Sequence, residues 1–240
     1  MVVGFDTATE DTAACARRGG KVLHESLLGP SAAGRPRHTT LLLAEVERAA
    51  TAAGGWEAVD LIGVGLGPGS FTGLRIGIAT ARALGASRGL PVTGVCTLDA
   101  LACGLQTASA VPSPQITRQR NSGSLVAVDA RRGEVFAALY SESGERIWEP
   151  FVATPADLAG RVAGISDPIL AAGSGAVRFR QELVGSGVEI PDDADPVHRV
   201  SARHVCALAA AADTGPLAPI YLRPPDAERW RERNTFQTSR

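Results

Sequence analysis

Two stretches of the chain follow one plan: "VVGFDTATEDTAACAR" at 2–17 and "LVAVDARRGEVFAALY" at 125–140. Each is an apolar strand ending in an aspartate, then a short polar turn, then a second apolar strand. The likeness is of plan rather than of letters. A chain that repeats a supersecondary plan folds as copies of one unit, each burying what the other leaves exposed. This repeat constrains the fold more than any single motif does, and it implies two βββαβα-like halves.

The first half can be read through. Val2–Phe5 is a strand ending at Asp6, and a hairpin turns at Gly19-Gly20. In "HTTLLLAEVERAATAAGG", Leu42, Val46, Ala49 and Ala53 share a helical face, and Gly54-Gly55 stop the helix. "DLIGVGLGPGS" is a buried strand running into a glycine turn, "TGLRIGIATARALGASRG" is a second helix, and Pro91 opens the strand "PVTGV". In the second half "PADLAGRVAG" and "SARHVCALAAAAD" read as helices, with "DPILAAGS" a strand and its turn. Residues 106–123, polar with two prolines and two arginines, read as a linker or exposed loop. The expected organisation is therefore a lobe over 1–105, the linker, a second lobe over 124–225 and a polar tail over 226–240.

Composition narrows the class. Apolar residues are 45%, charged residues 20% and the net charge −1, which excludes a basic nucleic-acid footprint across the whole chain. No apolar run approaches the roughly 20 residues of a membrane span. "MVVGFDTATED" lacks the basic and apolar regions of a signal peptide. Cys15, Cys96, Cys103 and Cys206 are scattered without a C-x-x-C, as free thiols in a reducing compartment are. A soluble cytoplasmic protein is expected.

The residues that carry chemistry leave alternatives open. Asp6 and Asp129, at matching strand ends, suit metal-holding carboxylates of a two-lobed nucleotide-binding fold, with Thr7, Gly69 and Ser70 meeting phosphates. Equally, such carboxylates cap a turn by accepting from strand-end N–H groups. The turn after Asp129 holds Arg131 and Arg132 but one glycine, a thin cradle for phosphate. "AAGSGA" at 171–176 faces an adenine in one reading and is an ordinary strand-to-helix turn in the other. His24, His38, His198 and His204 lack metal-ligand spacing, although His38, just ahead of a helix, can donate to a neighbour. Ser70 does not sit in a G-x-S-x-G elbow, because Phe71 and Thr72 separate it from Gly73. Gly73, Gly77, Ala81 and Gly85 recur every four residues and form a small-residue stripe on their helix. An in-chain neighbour could fill that stripe. Because Ile76, Ile78 and Leu84 already supply a sheet-facing side, the stripe is read as a surface for another helix. Anion binding at that helix N-terminus, with Arg75 one turn in, stays open.

"DTAT" 6–9, "HTTLLL" 38–43, "GPGSFTGLRIGIA" 67–79, "GVCTL" 94–98, "DARRGEVFAALY" 129–140 and "PIYLR" 219–223 together resemble the TsaB (YeaZ) family. The resemblance runs in order along nearly the whole chain. It implies an α/β, two-lobed, duplicated fold of the actin/Hsp70/sugar-kinase type (ASKHA, RNase H-like). It implies a non-catalytic partner of TsaD in forming the threonylcarbamoyl group on N6 of an adenosine in tRNAs reading codons that begin with A. TsaE is then a third component, tRNA is met through the complex, and a homodimer is the alternative state in isolation. The implied partner face lies on the helices 38–53 and 72–88, with His38, Leu42, Val46, Gly73, Arg75, Gly77, Ala81 and Gly85 as its residues. Asp6, Thr7, Gly69, Ser70, Asp129 and Arg132 form a degenerate nucleotide site. TsaD-like proteins carry an H-x-x-x-H metal motif where this chain has Thr97 and Leu101. Thr97 is a poor ligand and Leu101 is none, so no metal, cofactor or catalytic residue is expected. A small ATPase or kinase using a magnesium nucleotide between the lobes is the competing reading. A glycoprotease is a third, against which the same two positions count.

Overall fold

The computed structural model describes residues 1–109 and 123–223. The strand-turn-strand repeat builds two five-stranded mixed sheets. The first comprises β1 (Val2–Asp6), β2 (Thr12–Arg18), β3 (Lys21–Leu28), β4 (Leu61–Gly65) and β5 (Val92–Val95), in the order β3-β2-β1-β4-β5. The second comprises β6 (Gly123–Asp129), β7 (Val135–Tyr140), β8 (Arg146–Ala153), β9 (Ile169–Ala172) and β10 (Val188–Glu189), in the order β10-β9-β6-β7-β8. β1 pairs antiparallel with β2 and parallel with β4, and β6 pairs in the same way with β7 and β9. Asp6 faces Ala13 across its ladder and Asp129 faces Val135, so the two aspartates close equivalent hairpins.

The central strands are buried on both faces, as their uninterrupted apolar runs require. On one face of the first sheet lie α1 (His38–Ala53) and α2 (Phe71–Arg88). Leu42, Val46, Ala81 and Leu84 from these helices meet Val3, Phe5, Ala14 and Ala16. The other face receives α7 (Ala202–Ala211), the last helix of the second half, through Val205, Cys206 and Ala209. Its approach is close. A Cβ on Gly4 would lie 2.7 Å from Cys206 Sγ, and one on Gly63 would lie 2.9 Å from Ala209 Cβ. Gly4 and Gly63 are register partners, so two adjacent strands lack side chains where α7 crosses.

α3 (Thr97–Ser109) makes the reciprocal move. It follows β5 but packs against β6 and β7, with Leu98 and Leu101 in one core with Val126, Val128 and Ala138. The two halves thus exchange their last helices, and α3 and α7 form the layer between the sheets. α4 (Pro155–Val162), α5 (Ser174–Arg178) and α6 (Arg180–Val184) cover the far face of the second sheet through residues such as Leu158, Ala176 and Leu183.

The helix of 97–109 corrects the expected linker at its start, because residues 106–109 are the last turn of α3. Gln106 ties that turn to the second lobe by donating to Ser141 O at 3.3 Å. The rest of the linker, 110–122, and the tail over 226–240 lie outside the described residues. β8 was not legible as a strand: "RIWEPFVA" lacks alternation and carries Pro150, which an edge strand accommodates. Among the described residues no helix is long and apolar enough to cross a membrane.

Candidate functional site

The equivalent hairpin turns of the two sheets face one cleft of about 960 Å³. Its walls are the β1–β2 turn (Ala8, Thr9, Glu10, Asp11), the start of α2 (Gly69, Ser70, Phe71) and the β6–β7 turn (Asp129 to Arg132). Ser174, Arg178, Arg199 and the 220–223 segment complete it.

The two aspartates differ in use despite their equal register. Asp6 is 1% exposed and does not line the cleft. Its Oδ1 accepts from Ala8 N at 2.7 Å, and its Oδ2 accepts from Thr97 Oγ1 at 2.7 Å. Thr97 Oγ1 in turn accepts from Gly67 N at 3.1 Å. Burial raises the Asp6 carboxyl above the usual carboxylate range, while the Ala8 and Thr97 hydrogen bonds act in the opposite sense. Of the two readings left open by the sequence, turn capping is the one Asp6 adopts. Asp129 does line the cleft, but its charge is taken: Oδ2 accepts from the Arg178 guanidinium at 2.6 Å, and Oδ1 from Arg131 N at 2.8 Å.

The glycine turn before α2 packs against main chain. Ser70 N donates to Ala8 O at 2.7 Å, and Thr7 Oγ1 donates to Gly73 O at 2.8 Å. A Cβ on Gly69 would collide with Ala8 O, and one on Gly73 with Thr7 O. Ser70 caps α2 by accepting from Gly73 N at 3.3 Å. Thr7, Gly69 and Ser70 are therefore engaged with Ala8 and Gly73 of the same two turns.

The small-residue stripe continues the same packing, which corrects its reading as a partner surface. A Cβ on Gly77 would lie 2.5 Å from Thr7 Oγ1, and one on Gly85 would lie 2.5 Å from Val92 Cγ2. Ala81 is fully enclosed in the core under α1 and α2. The stripe lets α2 settle onto its own sheet. His38, Leu42 and Val46 are likewise interior. His38 Nδ1 bonds Thr12 Oγ1 at 2.9 Å and Nε2 bonds Thr9 O at 3.2 Å, so it pins the β1–β2 turn to α1. Burial lowers its pKa below the usual histidine value. Of the eight residues assigned to a partner face, Arg75 alone is exposed, with its guanidinium 5.2 Å above the Phe71 ring.

The outward faces of α1 and α2 carry other residues. Leu43 on α1 is 57% exposed, and Ala44 of α1 and Ala79, Ala83 and Ala86 of α2 are exposed as well, while Phe71, 45% exposed, stands in the cleft wall with its ring 5.4 Å from that of Tyr221. A signal for Leu43 existed, since three consecutive leucines cannot all share the inner face of one helix.

Arg132 lies in the cleft wall, in a turn where Arg131, Arg132 and Gly133 have φ of 63°, 58° and 77°. Two arginines in the left-handed region cost about 1–2 kcal/mol each. The turn is held by Ala130 N donating to Glu134 O at 2.9 Å, and by the bond from Arg131 N to Asp129. In "AAGSGA", a Cβ on Gly173 would strike Ala127 O, and Ser174 Oγ accepts from Asp129 N at 3.1 Å. This is the strand-to-helix turn of the plainer reading. Leu101 is 1% exposed in the core, and Thr97 is committed to Asp6. Among the described residues no cluster of three or more His, Cys, Asp or Glu is arranged to hold a metal.

Residues 28–192 match the family model described as TsaD: tRNA N6-adenosine threonylcarbamoyltransferase. The chain is 36% identical to an uncharacterized protein of Mycobacterium tuberculosis over 229 residues, 95% of this chain and 93% of that one. Against a Mycobacterium leprae protein it is 36% identical over 71% of its length, and spans 40% of that protein. It is 34% identical over 151 residues to the Escherichia coli tRNA threonylcarbamoyladenosine biosynthesis protein TsaB, covering 61% of this chain and 58% of that one. YeaZ from Pseudomonas aeruginosa superposes with a TM-score of 0.70 at 26% identity, over 92% of this chain and 99% of that one. The chain belongs to the TsaB (YeaZ) family. A ROK hexokinase from Thermus thermophilus, 14% identical with a TM-score of 0.51 over 88% of this chain and 98% of that one, shares the fold alone. The fold is a two-lobed α/β architecture, the one this hexokinase shares. In this TsaB-family chain the turns that face the interlobe cleft are packed against main chain and paired with its own charged groups.

Proposed function

We propose that this chain is a non-catalytic partner of TsaD in forming the threonylcarbamoyl group on N6 of an adenosine in tRNAs reading codons that begin with A. It supports TsaD by heterodimerisation, with TsaE as third component, and meets tRNA through the complex. It works in the cytoplasm, without a cofactor, and a homodimer is the alternative state of the isolated chain. One observation carries the non-catalytic reading: the clamp that would hold a magnesium nucleotide is filled by the chain's own groups. Asp6 is sealed under Thr97, and Asp129 is paired with Arg178. The partner face is the outward side of α1 and α2. Leu43 offers an apolar anchor there, and the exposed alanines keep the surface shallow enough for close helix packing.

The test is reconstitution. Threonylcarbamoylation of tRNA is measured with the chain alone, with TsaD and TsaE alone, and with all three. The chain alone is expected to give no turnover, and its addition to the other two to raise the rate. Turnover by the chain alone, or failure to co-elute with TsaD, overturns the reading. Titration with ATP and magnesium separates the kinase alternative, since the filled clamp predicts a dissociation constant of about 1 mM or weaker.

A further inference from the structure

α2, "FTGLRIGIATARALGASR", carries Arg75, Arg82 and Arg88 and no acidic residue along its 18 positions. Arg88 lies in the last turn, where a cation complements the helix dipole, and its guanidinium stands 5.2 Å over the Trp56 ring. Arg75 and Arg82 have no such role in their own helix. They lie on one line of α2 with Ala79 and Ala86, and all four are exposed. Each is positioned by a contact that leaves its charge unmatched. Arg75 sits 5.2 Å over the Phe71 ring, and Arg82 Nη2 donates to Leu217 O at 2.8 Å. Elsewhere Arg178, Arg199, Arg203 and Arg223 each pair with a carboxylate, whereas among the described residues no ion pair includes Arg75 or Arg82. α1 supplies little counter-charge beside them. Glu45 is buried and pairs with Arg48, and Glu47 accepts from Trp56 Nε1 at 2.9 Å. The outward side of the two helices therefore has an excess of positive charge next to its alanines.

We propose that Arg75 and Arg82 set the choice of partner on this face: an acidic protein surface in preference to a second copy of this chain. The proposal rests on the reading of the face as the TsaD-docking surface, and it places an excess of Asp and Glu on the side of TsaD that meets α2. Charges beside the close-packed part of an interface act chiefly on encounter and on the rejection of wrong partners. A two-fold self-pair is isologous, so the face meets itself and its own cations are brought together. Salt then acts in opposite senses on the two assemblies, since the Debye length shrinks from about 30 Å at 0.01 M to about 3 Å at 1 M. It weakens the attraction to an acidic partner and relieves the repulsion between two copies.

The experiment measures association and dissociation rates with TsaD, and self-association by sedimentation, between about 0.02 and about 0.5 M sodium chloride. Wild type, Arg75→Gln/Arg82→Gln and Arg75→Lys/Arg82→Lys are compared. Wild-type association with TsaD is expected to slow about tenfold or more across the range, while self-association strengthens. At low salt the glutamine variant is expected to associate with TsaD roughly three- to tenfold more slowly, with a shallower salt slope and a nearly unchanged dissociation rate. It is also expected to pair with itself more tightly than wild type does. The lysine variant keeps the charge without the planar fork, so both wild-type slopes are expected to persist. TsaD association that does not slow with salt overturns the proposal. So does a glutamine variant with the wild-type slope, or wild-type self-association that weakens as salt is added. If TsaD fails to bind at every salt concentration, the partner reading falls, and the self-association arm alone decides the role of the charge.

Discussion

The hydroxyl of Thr97 donates to Asp6 Oδ2 over 2.7 Å, joining the first turn of α3 to the end of β1 with both groups enclosed. At the same point Thr97 N donates to Gly67 O at 2.7 Å, so the glycine turn before α2 is tied in as well. One threonine thus fastens three segments: the end of β1, the glycine turn before α2 and the first turn of α3.

Thr97→Val keeps the volume but leaves a buried carboxylate without its hydroxyl donor. The expected loss is about 1–3 kcal/mol. For a chain of this size that is roughly 2–4 °C of melting temperature per kcal/mol. Thermal unfolding reads it, and Thr97→Ser, which retains the hydroxyl, is expected to lose much less. Equal losses in the two variants would assign the effect to packing.

Stability is expected to respond to pH in two opposed ways. Burial lowers the pKa of His38 and His198 and lowers that of His204 to about 4, so each stays neutral in the fold where the unfolded chain is protonated. Between the ordinary value of 6.5 and those lower values the unfolded state binds more protons, and stability falls as pH falls. Asp6 has the opposite sign. Its folded value is raised, so its contribution is complete below the ordinary 3.8 and is lost as pH rises through the folded value. In a series of urea titrations, His204→Gln should flatten the loss between pH 6.5 and about 4. Asp6→Asn should remove the opposing slope above 3.8. A His204→Gln profile parallel to wild type contradicts the first expectation.

Gly77→Leu is expected to destabilise the isolated chain. The first atom of the new side chain would already lie 2.5 Å from Thr7 Oγ1, and Val64 stands 3.8 Å away. Overpacking of this kind costs about 1–3 kcal/mol, more than the roughly 1 kcal/mol that replacing a helical glycine returns in propensity. The melting temperature should therefore fall. A temperature that holds while TsaD binding is lost would turn the stripe outward again.

The proposed partner face has the converse signature. Leu43→Glu and Ala83→Arg alter exposed positions on α1 and α2, so stability should change by no more than about 0.5 kcal/mol. Co-elution with TsaD should weaken about tenfold or more. If both variants bind as wild type does, the face lies elsewhere.

Much of the molecule was legible before any coordinates. The strand ending in Asp6 and the one ending in Asp129 could be aligned by plan. The helix over 38–53 followed from apolar spacing and the glycines after it, and the stretches 155–164 and 201–213, read as helices, contain the helices 155–162 and 202–211. The turn at Gly54 was readable because only a left-handed residue ends that helix, and its φ is 104°. Adjacency in space was not legible. Periodicity assigns Gly73, Gly77, Ala81 and Gly85 to one side of α2, but a row of small residues admits a strand with its turn as readily as a second helix. Asp6 and Asp129 had the same local sequence signature. Thr97 seals the first and Arg178 pairs with the second, and both partners come from distant segments. The exchange of α3 and α7 between the lobes was hidden for a related reason. α3 buries Leu98, Leu101 and Leu105, and α7 buries Ala202, Val205, Cys206 and Ala209, but apolar spacing does not say which sheet receives each face. The sequence by itself determined which elements form and which residues share a face. What covers each face was decided by the tertiary structure, because burial is settled by the shape of the surfaces that meet and not by the residues of either one.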